Sequence, residues 1–308
     1  MAKYSLSIAA GIALVGILII GLVVMLNSPT QGNEISGNSS QLKIAVTFFP
    51  LAQIAKNVAP DARIVSLVPS GIEPHDYEPS TGEIISLSSS DVFIVIGFEF
   101  SELENKLANA NSNIKLINSA NGIKLISASG EEAQNGQLYD PHVWVSPKNM
   151  ILMTENVANE LAVIDPKNAR TYRSNAETYT AKLNALDAQY LHELSNCTKD
   201  TIMVSHNAFS YLAKDYNFSA LFMVGFAPDV EPSANQLASL IEAARAKQLK
   251  YIFYEELVDP KVSQTIARET GAQTLELSPL EGSKNPRDTY ISIMQNNLNN
   301  LKLALECQ

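Results

Sequence analysis

Asp91–Gly97 (DVFIVIG) is the stretch that decides the fold, because it places five consecutive apolar side chains between an aspartate and a glycine. A strand that is covered on one face alternates apolar and polar residues, whereas a strand that is buried on both faces carries a continuous apolar run. The stretch therefore predicts a central strand with helices on both sides. This arrangement is typical of a parallel α/β sheet.

The segments on either side of this strand alternate between β-rich and helix-compatible composition, which predicts repeated βα units. In the first half, the predicted strands are Leu42–Phe49, Arg63–Val68, Asp91–Gly97 and Lys115–Asn118, and the predicted helices are Ala52–Val58, Glu83–Ser89, Glu102–Asn109 and Lys148–Val163. In the second half, the predicted strands are Thr201–Val204, Ala220–Gly225, Lys250–Tyr254 and Gln273–Leu277, each followed by a helix, of which the last is Asp288–Leu305. Ser127–Asp140 has no apolar period and is predicted to be an exposed loop.

Asp165–Ser195 has the longest helical pattern in the chain. Its large apolar residues, from Tyr172 to Leu194, recur at spacings of three, four and seven, which places them on one face of a helix. Asp165 is predicted as the N-cap and Pro166 as the first helical residue. At about 1.5 Å per residue such a helix is roughly 45 Å long. We therefore predict two parallel-sheet α/β lobes, residues 42–164 and 196–308, joined by one long rigid helix, residues 165–195.

The N-terminus carries an apolar segment, Leu6–Leu26, of 21 residues without a charge. About 20 apolar residues are enough for a helix to span a bilayer, so residues 1–26 are predicted to form a transmembrane anchor, with a cleaved signal segment as the alternative. Residues 27–41 are polar and rich in Gly, Ser and Asn, which is typical of a flexible linker. The expected location is the cell membrane, with the remainder of the chain extracellular.

The net charge of the 308-residue chain limits the class of its partners, and its cysteines predict a cross-link. Its net charge is −10 and its basic residues form no dense cluster, which argues against nucleic acid as a partner. Cys197 and Cys307 lie near the two ends of the predicted second lobe. In an extracellular protein such a pair favours a disulfide, with two unpaired thiols as the alternative.

Four stretches that end strand-like segments carry the candidate site: GIEPHDYEPS at Gly71–Ser80, YDPHVWVSP at Tyr139–Pro147, VSHNAF at Val204–Phe209 and SPLEG at Ser278–Gly282. Ligands bind beyond the carboxyl ends of parallel strands. Imidazole nitrogens and a carboxylate oxygen suit zinc in tetrahedral coordination, while manganese favours more oxygen ligands. We therefore predict a zinc site between the lobes, with manganese as an alternative. Its predicted ligands are His75, His142, His206 and Glu281.

Other polar residues near the strand ends have plainer interpretations. The acids interpreted as helix caps and solvated charges are Asp76, Asp140, Glu255 and Glu256. Glu255 is the substitute if Glu281 is not the fourth ligand. His192 lies off the apolar stripe of the long helix and is predicted to be a surface residue.

The motifs, in this order, resemble those of the zinc/manganese solute-binding proteins of metal-uptake ABC transporters, over about Leu42 to Leu305. The resemblance rests on GIEPHDYEPS, DPHVWVSP, SHNAFSYLAKDY, EPSANQ, and SPLEG followed by YISIM at Tyr290–Met294. It implies two α/β lobes joined by a long rigid helix, with the metal between them at His75, His142 and His206. Manganese-type members typically carry Glu at the third position, so His206 points to zinc.

The chain departs from the family pattern at Ser278, where many members have an aspartate ligand. Leu280-Glu281-Gly282 instead resembles a zinc-binding subgroup in which the glutamate is the ligand. Many zinc-binding members also carry a His-rich loop where this chain has the short acidic Ser127–Asp140. The resemblance implies that the protein is not an enzyme.

The expected partners are an ABC-transporter permease with its cytoplasmic ATPase, the metal ion and, through the N-terminal helix, the membrane. The protein is expected to be a monomer. A zinc-dependent hydrolase, and an adhesin or metal buffer without a transporter, are the remaining alternatives.

Overall fold

Strand β3 (Val92–Val95) lies inside a four-stranded parallel sheet, and all four of its residues are buried. The strand order is β2-β1-β3-β4, where β1 is Lys43–Val46, β2 is Arg63–Ser66 and β4 is Lys115–Asn118. The computed structural model describes residues 41–75, 77–98, 106, 111, 113–128, 131–134, 136–228, 231–283 and 285–308. The prediction of an α/β fold with parallel strands is confirmed.

The second half of the chain contains two parallel strand pairs. Strand β5 (Thr201–His206) pairs with β6 (Ser219–Val224), and β7 (Tyr251–Tyr254) pairs with β8 (Gln273–Glu276). Strands β5 and β7 lie next to each other. Because all of these strands run parallel to their partners, their carboxyl ends meet at shared edges, where the polar loops follow.

The helices begin at residues with recognisable capping chemistry. Ser80, Ser233 and Thr289 each form a capping box with the residue three positions further on. The described helices are α1 (Phe49–Val58), α2 (Thr81–Ser88), α3 (Glu131–Gln134), α4 (Pro147–Ile164), α5 (Ala169–Glu193), α6 (Ser210–Asp215), α7 (Ala234–Ala246), α8 (Lys261–Thr270) and α9 (Tyr290–Leu305).

Helix α5 is shorter than predicted, because Pro166–Asn168 forms a separate 3₁₀ turn before it. Asp165 occupies the N-cap position of this turn, with Pro166 directly after it, but its side chain makes no capping hydrogen bond. Its carboxylate instead accepts hydrogen bonds of 2.8 Å from the side chains of Asn168 and Tyr172, which joins the turn to the helix. The predicted apolar stripe is confirmed: the buried residues of α5 are Tyr172, Ala176, Tyr179, Thr180, Leu183, Leu186 and Tyr190.

Two other segments differ from the predictions, and one predicted helix is not described. The predicted first strand stops at Val46, because Pro50 sits in the first turn of α1, where its missing N–H costs nothing. Ser127–Asp140 contains the helical turn α3 and a bridge between Ser127 and Tyr139, so it is not simply a loop. The predicted helix Glu102–Asn109 lies outside the described residues apart from Lys106.

The predicted disulfide is confirmed, since Cys197 is bonded to Cys307. It ties the segment before β5 to the end of α9, at the edge opposite the carboxyl ends of the strands. Gln41–Gln308 form one compact unit, and its division into lobes at 164 and 196 stays a prediction. None of the helices in the described ranges is long and apolar enough to cross a membrane. The predicted anchor, Leu6–Leu26, and the linker lie outside the described residues.

Candidate metal centre

The fold brings the four predicted ligand residues to one place. His75 follows β2, Glu281 follows β8, and His142 directly precedes a 3₁₀ turn, Val143–Val145, that leads into α4. His206 is the last residue of β5 itself, not a residue of the following loop as predicted. One potential ligand atom from each of the four lies within 4.8 Å of the others.

The distances within this group match those between the ligands of a tetrahedral ion. Glu281 Oε1 lies 3.3 Å from His75 Nε2, 3.2 Å from His142 Nε2 and 3.4 Å from His206 Nε2. The Nε2 atoms of His142 and His206 are 3.3 Å apart. Four ligands held about 2.0–2.1 Å from a zinc ion in a tetrahedron are separated by about 3.4 Å. The four side chains therefore frame a space of the right size for such an ion.

The group is almost sealed from solvent. The side chain of His75 is 13% exposed, whereas those of His142 and His206 are fully buried and that of Glu281 is 1% exposed. Glu281 Oε2 is buried without a hydrogen-bond partner among the described residues. A buried, unpaired carboxylate oxygen is costly unless a proton or a cation satisfies it. The geometry thus favours a bound cation.

Two carboxylates orient the buried imidazoles through their Nδ1 atoms. Asp140 Oδ1 lies 2.9 Å from His142 Nδ1 and also accepts the His142 backbone N–H at 2.9 Å. Glu255 holds His206 Nδ1 with both oxygens, at 2.8 and 2.9 Å. Carboxylates in this position fix the ring orientation and make Nε2 a better metal ligand. Both Nε2 atoms are therefore aimed at Glu281.

The carboxylates also shift the pKa values of the metal-free group. Burial alone would lower the pKa of His142, but its hydrogen bonds to Asp140 and Glu281 outweigh burial and raise the pKa to about 9. Burial would also lower the pKa of His206, but the charges of Glu255 and Glu281 outweigh burial and raise this pKa well above the usual value. Burial would raise the pKa of Glu281, yet the three histidines hold it well below the usual range. In the metal-free protein, protons on the histidines therefore balance the negative charges of the carboxylates.

A further acid lies beside His75. The backbone N–H of His75 donates to Glu73 Oε1 at 3.2 Å. Burial and the negative charge of Glu281 raise the pKa of Glu73 to about 7. Glu73 can therefore hold a proton near neutral pH, beside the most exposed of the four ligand residues.

The sequence interpretation of Asp140 and Glu255 as caps and solvated charges is wrong, because both are buried against imidazole rings. Asp140 lies only two residues before His142, so the Asp-Pro-His sequence itself held a local signal for this contact. Glu255 lacked such a signal, since its relation to His206 depends on β7 lying beside β5. It contacts Nδ1 of His206 and is not part of the four-residue group. His192 is confirmed as a surface residue, with its side chain 85% exposed.

The comparisons with known proteins identify a family of zinc-uptake proteins. The family described as "ZnuA: Zinc-uptake complex component A periplasmic" matches residues 44–304. The high-affinity zinc uptake system protein ZnuA of Bacillus subtilis is 34% identical over 297 residues, which cover 91% of this chain and 92% of that protein.

One further relative is a longer protein, and one similar solved structure is a domain of such a protein. Zinc-binding protein AdcA of Streptococcus pyogenes is 30% identical over 302 residues, which cover 90% of this chain but 58% of AdcA. The chain thus spans little more than half the length of that relative. The crystal structure of the Zn(II)-bound ZnuA-like domain of Streptococcus pneumoniae AdcA matches with a TM-score of 0.75 and 33% identity, covering 86% of this chain and 99% of that domain.

Proposed function

The chain belongs to the ZnuA family of periplasmic A components of zinc-uptake complexes, and from this premise we propose that it captures zinc outside the cytoplasmic membrane. The proposed ligands are His75, His142, His206 and Glu281. The observation that carries the proposal is the set of distances of 3.2–3.4 Å between Glu281 Oε1 and the three Nε2 atoms. These distances suit four ligands on one tetrahedral ion.

The bound zinc is cargo in this proposal, delivered to an ABC-type permease that a cytoplasmic ATPase drives. The names of the relatives support this role, because they describe zinc-uptake and zinc-binding proteins. The four side chains complete the ion's coordination, so no position is left for a reactive water. The site therefore favours binding over hydrolysis, and three imidazoles favour zinc over manganese.

The attachment to the membrane is the sequence-based part of the proposal. The apolar run Leu6–Leu26 would hold the binding unit at the outer face, through the polar residues 27–41. All four proposed ligands come from a single chain, so capture requires no second copy. The metal would lie between the predicted lobes, with ligands contributed by both halves of the chain.

Uptake of radioactive zinc at limiting concentration tests the function in cells that lack the chromosomal copy of this protein. The wild-type chain should restore uptake, and His206→Ala should not. His192→Ala is the matched control, because it removes an exposed histidine that lies outside the site. Normal zinc uptake in cells without the chain, or full rescue by His206→Ala, would contradict the proposal.

A further inference from the structure

Ser278 stands at the carboxyl end of β8, three residues before Glu281, and it is buried. Its hydroxyl donates a hydrogen bond of 2.5 Å to Glu256 Oε1. Ser278 Oγ also accepts a hydrogen bond from the backbone N–H of Leu280 at 3.1 Å. Ser278 therefore links the acid that follows β7 to the backbone immediately before Glu281.

This link restrains the backbone at Leu280, which has an unusual conformation. It adopts φ = +62°, in the left-handed region that residues with a β-carbon disfavour, and its side chain is fully buried. Such a conformation persists only where the surroundings impose it. The hydrogen bond from the Leu280 N–H to Ser278 is one such restraint. The left-handed turn at Leu280 determines the direction in which the next residue, Glu281, leaves the backbone.

Two buried side chains hold the backbone that leads into the turn. Asn297 accepts the N–H of Ser278 at 2.9 Å and donates to its carbonyl at 2.7 Å. Trp144 Nε1 donates to the carbonyl of Pro279 at 2.8 Å. These contacts fix residues 278 and 279, so the position of Glu281 depends on how the chain turns at Leu280.

Glu256 supplies the far end of the link. Its Oε1 accepts from Ser278, while its Oε2 is buried and has no hydrogen-bond partner among the described residues. Desolvation by burial raises the pKa of this carboxyl to about 7. Burying a carboxyl with an unpaired oxygen lowers the stability of the fold, so stability alone does not explain why Glu256 is buried beside Ser278.

We propose that Glu256 and Ser278 are positioning residues of the metal site, which act through the Leu280 turn to hold the Glu281 carboxylate against the three imidazoles. This inference rests on the proposed function, since it concerns the same site. Neither residue touches the metal. They act on zinc affinity only through Glu281.

The test compares zinc affinities, measured by chelator competition, for substitutions in two backgrounds. Ser278→Ala and Glu256→Ala should each weaken zinc binding about 10–100-fold, the effect typical of removing a side chain that orients a ligand. Glu256→Gln retains the acceptor oxygen and should bind zinc as the wild type does. Ser119→Ala is the matched control, because Ser119 is equally buried and donates to a backbone carbonyl, that of Val95, at 2.7 Å.

The Glu281→Ala background separates positioning from a general loss of structure. There, Ser278→Ala should cause no further loss of affinity, because the carboxylate that it positions is absent. An equal loss in both backgrounds, or no loss in either, would overturn the inference.

A crystal structure of metal-free Ser278→Ala provides a readout that does not depend on zinc. Glu281 Oε1 should leave its position 3.2–3.4 Å from the three Nε2 atoms. An unmoved Glu281 would overturn the inference. Failure of the wild-type chain to bind zinc would instead contradict the proposed function, and this crystal structure would still decide the positioning role.

Discussion

At the residue scale, the site combines buried imidazoles with carboxylates on both sides of each ring. Glu281 faces Nε2 of His142 and His206, while Asp140 and Glu255 face their Nδ1 atoms. This arrangement stabilises protonated histidines when the metal is absent. Zinc requires the neutral form of imidazole, so zinc and protons compete for the same nitrogens.

Zinc affinity should therefore rise with pH. His142, with a pKa of about 9 in the metal-free protein, carries a proton at neutral pH, and zinc must displace it. The pKa of His206 is raised as well, so binding at pH 7 should release more than one proton per zinc. The apparent affinity should increase with pH at least up to about pH 9, where His142 loses its proton. Calorimetry in buffers of different ionisation enthalpy counts the protons, and zero protons released at pH 7 would contradict this account.

The outer carboxylates should matter although they do not contact the ion. Asp140→Asn and Glu255→Gln each remove the charge behind one imidazole, and each should weaken zinc binding about 10–100-fold. Asp165→Asn is the control, since the Asp165 carboxylate bonds Asn168 and Tyr172 and is not part of the four-residue group. Chelator competition measures the three affinities, and wild-type values for both outer variants would show that these carboxylates do not tune the site.

The sequence allowed the four central residues to be proposed, because each occurs in a distinctive motif at a strand end. The sequence named Glu255 only as a substitute ligand and did not reveal its contact with His206, since 49 residues separate the two and only the neighbouring positions of β5 and β7 bring them together. The contact of Ser278 with Glu256 was not predictable from the sequence either. The Ser278 hydroxyl bonds Glu256, which follows a different strand, so the two residues meet only in the folded chain.

At the element scale, helix α5 packs against both halves of the chain. Asn175 donates to the carbonyl of Val58 at 3.0 Å, while Tyr190 donates to the carbonyl of Met294 at 2.7 Å. The apolar spacing predicted this buried stripe because helical periodicity is a local property. It did not predict the 3₁₀ turn at Pro166–Asn168, because the contacts of Asp165 with Asn168 and Tyr172 replaced ordinary capping.

The disulfide between Cys197 and Cys307 should stabilise the fold without affecting the site. It closes a loop across a sequence separation of 110 residues, so replacing both cysteines with serine should lower the free energy of unfolding by about 2–4 kcal/mol. Denaturant titration measures this change, and zinc affinity should stay at the wild-type value because the bond lies at the opposite edge from the metal. An unchanged denaturation midpoint would contradict the stabilising role.

At the scale of the whole molecule, the ligands come from both halves of a unit that one long helix crosses. Side chains also join the loops around the site: Ser70 donates to the carbonyl of Ser283 at 2.8 Å, and Trp144 donates to that of Pro279 at 2.8 Å. The shared helix and these contacts oppose a wide hinge movement. Capture of the metal should therefore involve small local adjustments.

Small-angle scattering tests this rigidity. A folded unit of this size has a radius of gyration of about 18 Å, and zinc should change it by less than about 1 Å. The measurement uses the chain from residue 41 onward, with and without zinc, and His206→Ala as the variant that should not respond. A contraction of several ångströms would show a hinge that the packing of α5 does not suggest.

The most direct test of the central claim is the zinc stoichiometry of the same unit, measured by native mass spectrometry with parallel equilibrium titration. The wild type and His192→Ala should each hold one zinc ion. His75→Ala, His142→Ala and His206→Ala should each bind zinc far more weakly, since each removes one of four converging ligands. Wild-type zinc affinity in all three variants would contradict the account.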